Sequence, residues 1–190
     1  MAFSVLLLPA GFAVAQENLP KEIRGYKVYK GKIVVRTEPD KTTSSAKNEP
    51  EVFIKIGEPE LTNFSFSGVT IELPAEINSS EQSGTIDFVT FYNFRLNNVA
   101  VEIEEYKDSF EFKKNHLIKL PKPIKILIGA RQTVRGALSE LIKSKDIWTV
   151  TGKVFVFGRF KKSFLKFKRV VPVEINLLIE NPLKTATGSS

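Results

Sequence analysis

The chain contains no cysteine, one histidine, one tryptophan and one methionine among 190 residues. Without cysteine there are no disulfides, thiolate metal ligands or thiol nucleophiles, and no lipid attachment through an N-terminal cysteine. A single histidine leaves a zinc site built on several imidazoles without ligands. That residue, His116, stands beside Lys113 and Lys114 in a polar turn, and reads as a solvated surface group. No G-x-S-x-G segment, glycine-rich phosphate loop, H-E-x-x-H pair or D-x-D-x-D-G loop occurs. Glu102, Glu104, Glu105 and Asp108 do cluster. Glu102 and Glu104, however, fall on the polar face of an alternating segment, where glutamate is the ordinary solvent-facing choice. No catalytic residue, cofactor site or metal ligand is therefore expected, and the protein reads as a non-enzyme.

Long hydrophobic runs are also lacking. The longest, Phe3 to Ala15 (FSVLLLPAGFAVA), is too short to cross a bilayer of ~30 Å as a helix. It ends in Ala13-Val14-Ala15, a small-x-small pattern, and Gln16-Glu17-Asn18 opens a polar segment. This is the pattern of a signal peptide, although the usual basic residues before it are missing. The expectation is cleavage after Ala15, export to the periplasm or beyond, and no transmembrane helix in the mature chain.

What is present suits a globular protein: 42% hydrophobic residues, 26% charged, and fifteen phenylalanines to fill a core. A chain of this length buries roughly 70% of its unfolded surface and needs no staple. The net charge of +7 is unevenly spread. Glu76 to Glu111 holds eight acids and two bases, whereas Phe112 to Arg169 holds sixteen bases and two acids. Within the latter, Arg159, Lys161, Lys162, Lys166, Lys168 and Arg169 crowd a hairpin tip with Phe160, Phe164 and Phe167. Basic residues interleaved with aromatics suit an anionic partner such as a lipid surface or polyanion. Lysines at a hairpin also protect a sheet edge from pairing with other chains. Both readings stay open, and export argues against nucleic acid as the partner.

Periodicity sets the fold class. Tyr26 to Tyr29 and Ile33 to Val35 flank Lys30-Gly31-Lys32 and read as an N-terminal strand pair within residues 16–37. Residues 38–50 are rich in Thr, Ser, Lys and Pro, a linker. From residue 51 to 182 apolar residues alternate almost throughout. Ile86, Phe88, Tyr92, Phe94 and Leu96 are assigned to one face of a long strand, and Asn97-Asn98 to a tight primed turn. Trp148, Val150, Val154 and Val156 share one face of a central strand, with Phe155 and Phe157 opposite. Leu165, Phe167, Val171, Val173, Ile175, Leu177 and Ile179 line one face of the last strand. One segment differs. Val134, Ala137, Leu138, Leu141 and Ile142 follow a helical stripe, which predicts a short helix at about 133–144. The expected fold is mainly β, a two-sheet β-sandwich with one helix and an N-terminal β-hairpin appendage. Residues 183–190 read as a disordered tail, and the protein as a monomer.

Phe94 to Glu104 (FRLNNVAVEIE), the proline-bounded LPKPIKILI, the helical stripe and Thr149 to Val154 leading into a long last strand form an ordered series. This order resembles the group 2 late embryogenesis abundant proteins, whose domain is also called the water-stress and hypersensitive-response (WHy) domain. The likeness covers about residues 51–182. The family's Asn-Pro-Asn signature is absent, and Phe91-Tyr92-Asn93-Phe94 stands in its place. The resemblance implies a β-sandwich without catalytic residues and a role in stress or desiccation tolerance. The alternative is an envelope-associated module that docks on an anionic lipid, a polyanion or a protein through the basic hairpin.

Overall fold

Alternation of apolar and polar residues produces strands almost everywhere in the computed structural model. It describes residues 19–31, 33–37, 52–65, 68–79, 82–129, 146–162 and 164–182. The signal segment with its Ala15 site, the linker 38–50, the helix at 133–144 and the tail 183–190 lie outside the described residues.

The first layer is one sheet. Its path runs β1 (Glu22–Ile23), β2 (Tyr26–Val28), β15 (Leu165–Glu180), β14 (Ile147–Lys162), β8 (Ser83–Leu96) and β11 (Phe110–Phe112). The short β9 (Val99–Ala100) pairs with the end of β8. The second layer consists of two four-stranded sheets. One is ordered β12 (Leu117–Lys119), β7 (Ala75–Ser79), β4 (Val52–Ile56) and β3 (Ile33–Thr37). The other is ordered β10 (Glu102–Ile103), β13 (Ile124–Gly129), β6 (Gly68–Leu73) and β5 (Glu60–Ser65).

Prolines divide that second layer. Pro59 lies between β4 and β5, Pro74 between β6 and β7, and Pro121 and Pro123 between β12 and β13. Proline has no N–H to give a ladder, so each strand breaks where it meets one. At this seam the Gly57 N–H donates to the Pro74 carbonyl at 2.9 Å, and the Leu120 N–H to the Ala75 carbonyl at 2.9 Å.

Each half of the second layer covers one end of the long strands. Ile71, Ile126 and Ile128 pack with Phe94, Leu96, Trp148, Val150 and Ile179 in one core. Ile86, Val89, Tyr106, Phe110, Phe112, Val156, Phe160, Val171 and Val173 form the other, with Ile33, Ile77 and Ile118 against it. Trp148 is fully buried, at 0% exposure. The architecture is a β-sandwich, as the alternation implies.

Strand β14 is central, between β15 and β8. Its Trp148, Val150, Val154 and Val156 face the cores as expected. Asn97 and Asn98 form the expected turn at φ of 46° and 68°, with Leu96 opposite Val99. Asn97 also clamps that hairpin to β14. Its side-chain oxygen accepts from the Thr149 N–H at 2.8 Å, while its own N–H donates to the Thr149 carbonyl at 2.9 Å.

Two expectations need correction. In β8 the inward face is Ile86, Val89, Phe91, Phe94 and Leu96, whereas Phe88 and Tyr92 turn outward. The pairing with β14 slips twice, once at Asp87 and once around Asn93. Each β-bulge inserts a residue and inverts the alternation beyond it. Asn93 takes φ of 52°, which asparagine tolerates. Opposite this bulge the Phe94 ring lies on Gly152, where a Cβ would stand 2.6 Å from a ring carbon. Glycine is there because an aromatic ring occupies the space of its missing side chain.

The second correction concerns the N-terminus. Strands β2 and β3 do not pair with each other. β1 and β2 form a hairpin through Arg24-Gly25, both at positive φ, as a two-residue primed turn requires. β2 then lies parallel to β15, and β3 parallel to β4 in the other layer. Gly31 belongs to the crossing between layers.

Candidate functional site

The six basic residues at 159–169 all lie on the β14–β15 hairpin, whose pairing runs unbroken to its end. Arg159 faces Lys168, and Lys161 faces Lys166. Cross-strand partners share a face, and these two pairs share theirs with Phe157 and Val170, away from the cores. Arg169 lies opposite Gly158 on the other face. Of Lys162, the backbone pairing with Leu165 is described.

The hairpin divides into an engaged base and a free tip. Arg159 donates to Asp87 Oδ1 from Nη2 at 2.6 Å and from Nε at 3.0 Å. The bulge at Asp87 re-aims that carboxylate, which also accepts from the Tyr26 hydroxyl at 3.0 Å. The hydrogen bond to Asp87, and then its charge, raise the Arg159 pKa, so the guanidinium stays charged. Tyr26 is raised as well, first by burial and then by its bond to Asp87. Lys168 Nζ lies 5.6 Å from the Tyr26 ring, and the Arg169 guanidinium 4.3 Å from that of Tyr29.

These contacts fasten the β1–β2 ribbon over an aromatic cluster. Tyr26 meets Phe88 and Phe157 edge-on, the latter two stack at 4.3 Å, and Arg24 lies 4.3 Å over Phe88. Arg24 also reaches Glu105 at 3.2 Å. The ribbon is thus packed on the sandwich, and Arg159, Lys168 and Arg169 belong partly to its mooring.

Lys161 and Lys166 are exposed and make no ion pair among the described residues. Beyond them Phe164 is 88% exposed and Leu165 49% exposed. Leu165, expected in line with the core-facing residues, stands past the end of the second layer's cover. Strand β8 ends at Ser83, opposite Lys161, and β2 meets β15 at Arg169 and Val170. Among the described residues the apex therefore extends past the strands paired on both sides. Lys113 follows Phe112, which shares Gly84 as a partner with Phe160, so it lies level with Lys161. The sequence showed the cluster of cations. It did not show Asp87, Tyr26 and Tyr29 as their partners, since those contacts span many residues.

Other features offer less chemistry. His116 is exposed, and its ring Nδ1–H donates to the Lys114 carbonyl at 2.8 Å. The expected acidic cluster is dispersed into ion pairs: Glu105 with Arg24, and Asp108 with Lys122 at 3.0 Å. A cleft of 600 Å³ follows the proline seam, lined by Glu58, Glu60, Glu72 and Glu76 with Lys55, Lys119 and Lys122. Lys119 pairs with Glu76 at 3.6 Å there, and Lys125 with Glu72 at 3.7 Å. Between the layers an apolar void beside Ile77, Ile86 and Phe160 holds 30 Å³, far below an organic ligand's needs. Among the described residues no group of three acids or histidines is placed to hold a metal, and no helix is long and apolar enough to cross a membrane.

No family model matches the chain, and no curated protein matches it. Among solved structures, a crystal structure of a protein from Archaeoglobus fulgidus aligns over 64% of this chain and 92% of its own. The identity is 10% and the TM-score 0.38. The sandwich assignment rests on the strand pairing and the two cores, and not on that match.

Proposed function

We propose that the protein is a non-enzymatic binding module that docks on an anionic surface through the tip of the β14–β15 hairpin. The observation that carries this is the pairing of Lys161 with Lys166 at a tip where, among the described residues, no acid pairs with either. Like charges directly opposite each other are unfavourable in a folded protein, and an anionic partner relieves that cost. Export, expected from residues 3–15, brings this tip to the cell envelope. Its check is a mature N-terminus at Gln16 in protein taken from the native host; an intact Met1 in a cytosolic fraction refutes it.

The docking test replaces Lys161, Lys162, Lys166 and Lys168 by Gln. The parent binds a soluble polyanion such as heparin at low salt. Binding weakens steeply as the Debye length falls from ~30 Å at 0.01 M to ~8 Å at 0.15 M. The variant loses binding, and its melting temperature falls only slightly, by the lost contact of Lys168 with the Tyr26 ring, because exposed charges contribute little to stability. Lys107, Lys119, Lys122 and Lys125 changed to Gln form the control, as they lie away from the hairpin. Lys113 and Lys114 are unsuitable controls because they border the tip. Equal loss in both variants means a diffuse field without a site.

A second reading has one observation in its favour. Among the described residues, the apolar void beside Ile77, Ile86 and Phe160 holds 30 Å³, which suits a scaffold that protects by being soluble and weakly adhesive. The order of the Asn97-Asn98 hairpin, the proline-bounded strand and the long final hairpin supports the proposed kinship with WHy domains.

A further inference from the structure

We infer that the anionic partner is a lipid bilayer, and that Phe164 and Leu165 insert into it as an apolar wedge. This rests on the docking reading above and narrows it to one source of negative charge. Edge protection alone does not account for the apex, since a device that keeps a hairpin from associating would not end in a phenylalanine 88% exposed. Leu165 beside it is 49% exposed. A soluble polyanion neutralises the lysines but gives a leucine nothing to bury against. A bilayer does both.

The geometry has the depth order that a bilayer requires. Apolar side chains stand at the extreme tip, and the Lys161–Lys166 pair comes one residue behind Leu165. The Arg159–Lys168 pair follows two residues further back. At a rise of about 3.4 Å per residue, the cations lie about 3–10 Å behind the apolar tip. Interfacial segments bury their apolar face about 5–10 Å into the headgroup and acyl boundary, so these cations meet the phosphates. Among the described residues neither β8 nor β2 reaches past this level, and no neighbouring strand blocks the approach. Lys113, level with Lys161, widens the cationic rim. Insertion is confined to the tip, because unpaired strand edges cannot enter hydrocarbon.

The test compares three surfaces: vesicles of phosphatidylcholine with phosphatidylglycerol, vesicles of phosphatidylcholine alone, and heparin. The parent sediments with the anionic vesicles and not with the neutral ones. Phe164→Ala with Leu165→Ala lowers vesicle affinity about tenfold or more, from the lost burial of two apolar side chains, and leaves heparin binding unchanged. In Phe164→Trp the added emission shifts to the blue and is quenched by brominated acyl chains, over a constant background from buried Trp148. If vesicle affinity survives loss of both apolar residues and the emission does not move, the wedge is wrong and electrostatic docking stands. If the parent binds heparin and ignores anionic vesicles, the lipid assignment is overturned alone. If it binds neither at low salt, both proposals fall.

Discussion

Asp87 shows how one side chain gains several duties from a local irregularity. It accepts from Arg159 and from Tyr26, so the strand bulge, the basic hairpin and the N-terminal ribbon meet at one carboxylate. Tyr26 reports on that junction. Burial first, then the bond to Asp87, raises its pKa above the usual value near 10. Tyr106 is raised too, chiefly by burial. Above about pH 10 the unfolded chain has lost its phenolic protons while the folded one keeps them, so stability falls as pH rises. Below that pH the contribution is fully present. Tyr26→Phe should cost about 1 kcal/mol at neutral pH for its lost hydrogen bond. It should also make the alkaline fall in stability shallower and remove a late component from the phenolate absorbance titration. Denaturant curves at several alkaline pH values read both effects, and identical slopes for parent and variant would show that Tyr26 is not held as described.

The elements that were legible in the sequence are those whose period never slips. Strand β15 alternates without interruption, and Val171, Val173, Ile175, Leu177 and Ile179 face the cores as written. The Asn97-Asn98 turn was legible because two adjacent asparagines are a chemical signal for positive φ. Strand β8 was not, because a period of two assumes that every residue flips the face, and a bulge adds one that does not. The clues were local: Asp87 is a charge inside an aromatic run, and Asn93 is a poor strand former that tolerates the left-handed region. At the N-terminus Lys30-Gly31-Lys32 drew the turn away from Arg24-Gly25. Only tertiary pairing separates them, since β2 finds β15 and β3 finds β4. The candidate site was half legible. Six cations in a short span are plain in the sequence, whereas the division into a moored base and a free tip depends on residues from β2 and β8.

The whole molecule combines a continuous layer with a broken one, and this decides how it unfolds. The two sheets of the second layer are separated at the proline seam, and each covers mainly one core, although Ile56 and Ala75 from β4 and β7 also reach the Trp148 core. Taken alone, that arrangement suggests two lobes that melt separately. The other layer opposes this, because β8, β14 and β15 run through both cores with 14, 16 and 16 residues. A core cannot lose its cover without exposing apolar stretches of strands that the other still holds. The expectation is one cooperative transition. Trp148 reports on one core, with blue-shifted emission in the folded state, and Tyr106 on the other, through the signal of a fluorotyrosine at position 106 in fluorine NMR. Their denaturation midpoints should coincide with each other and with the far-ultraviolet signal. Ile128→Ala provides the harder test. It removes a buried side chain from the Trp148 core and should cost about 2–5 kcal/mol. In a coupled molecule it lowers the Tyr106 midpoint as far as the Trp148 midpoint, although Tyr106 belongs to the other core. If the variant moves the tryptophan signal alone, the seam divides the protein into independent units and the long strands do not couple them.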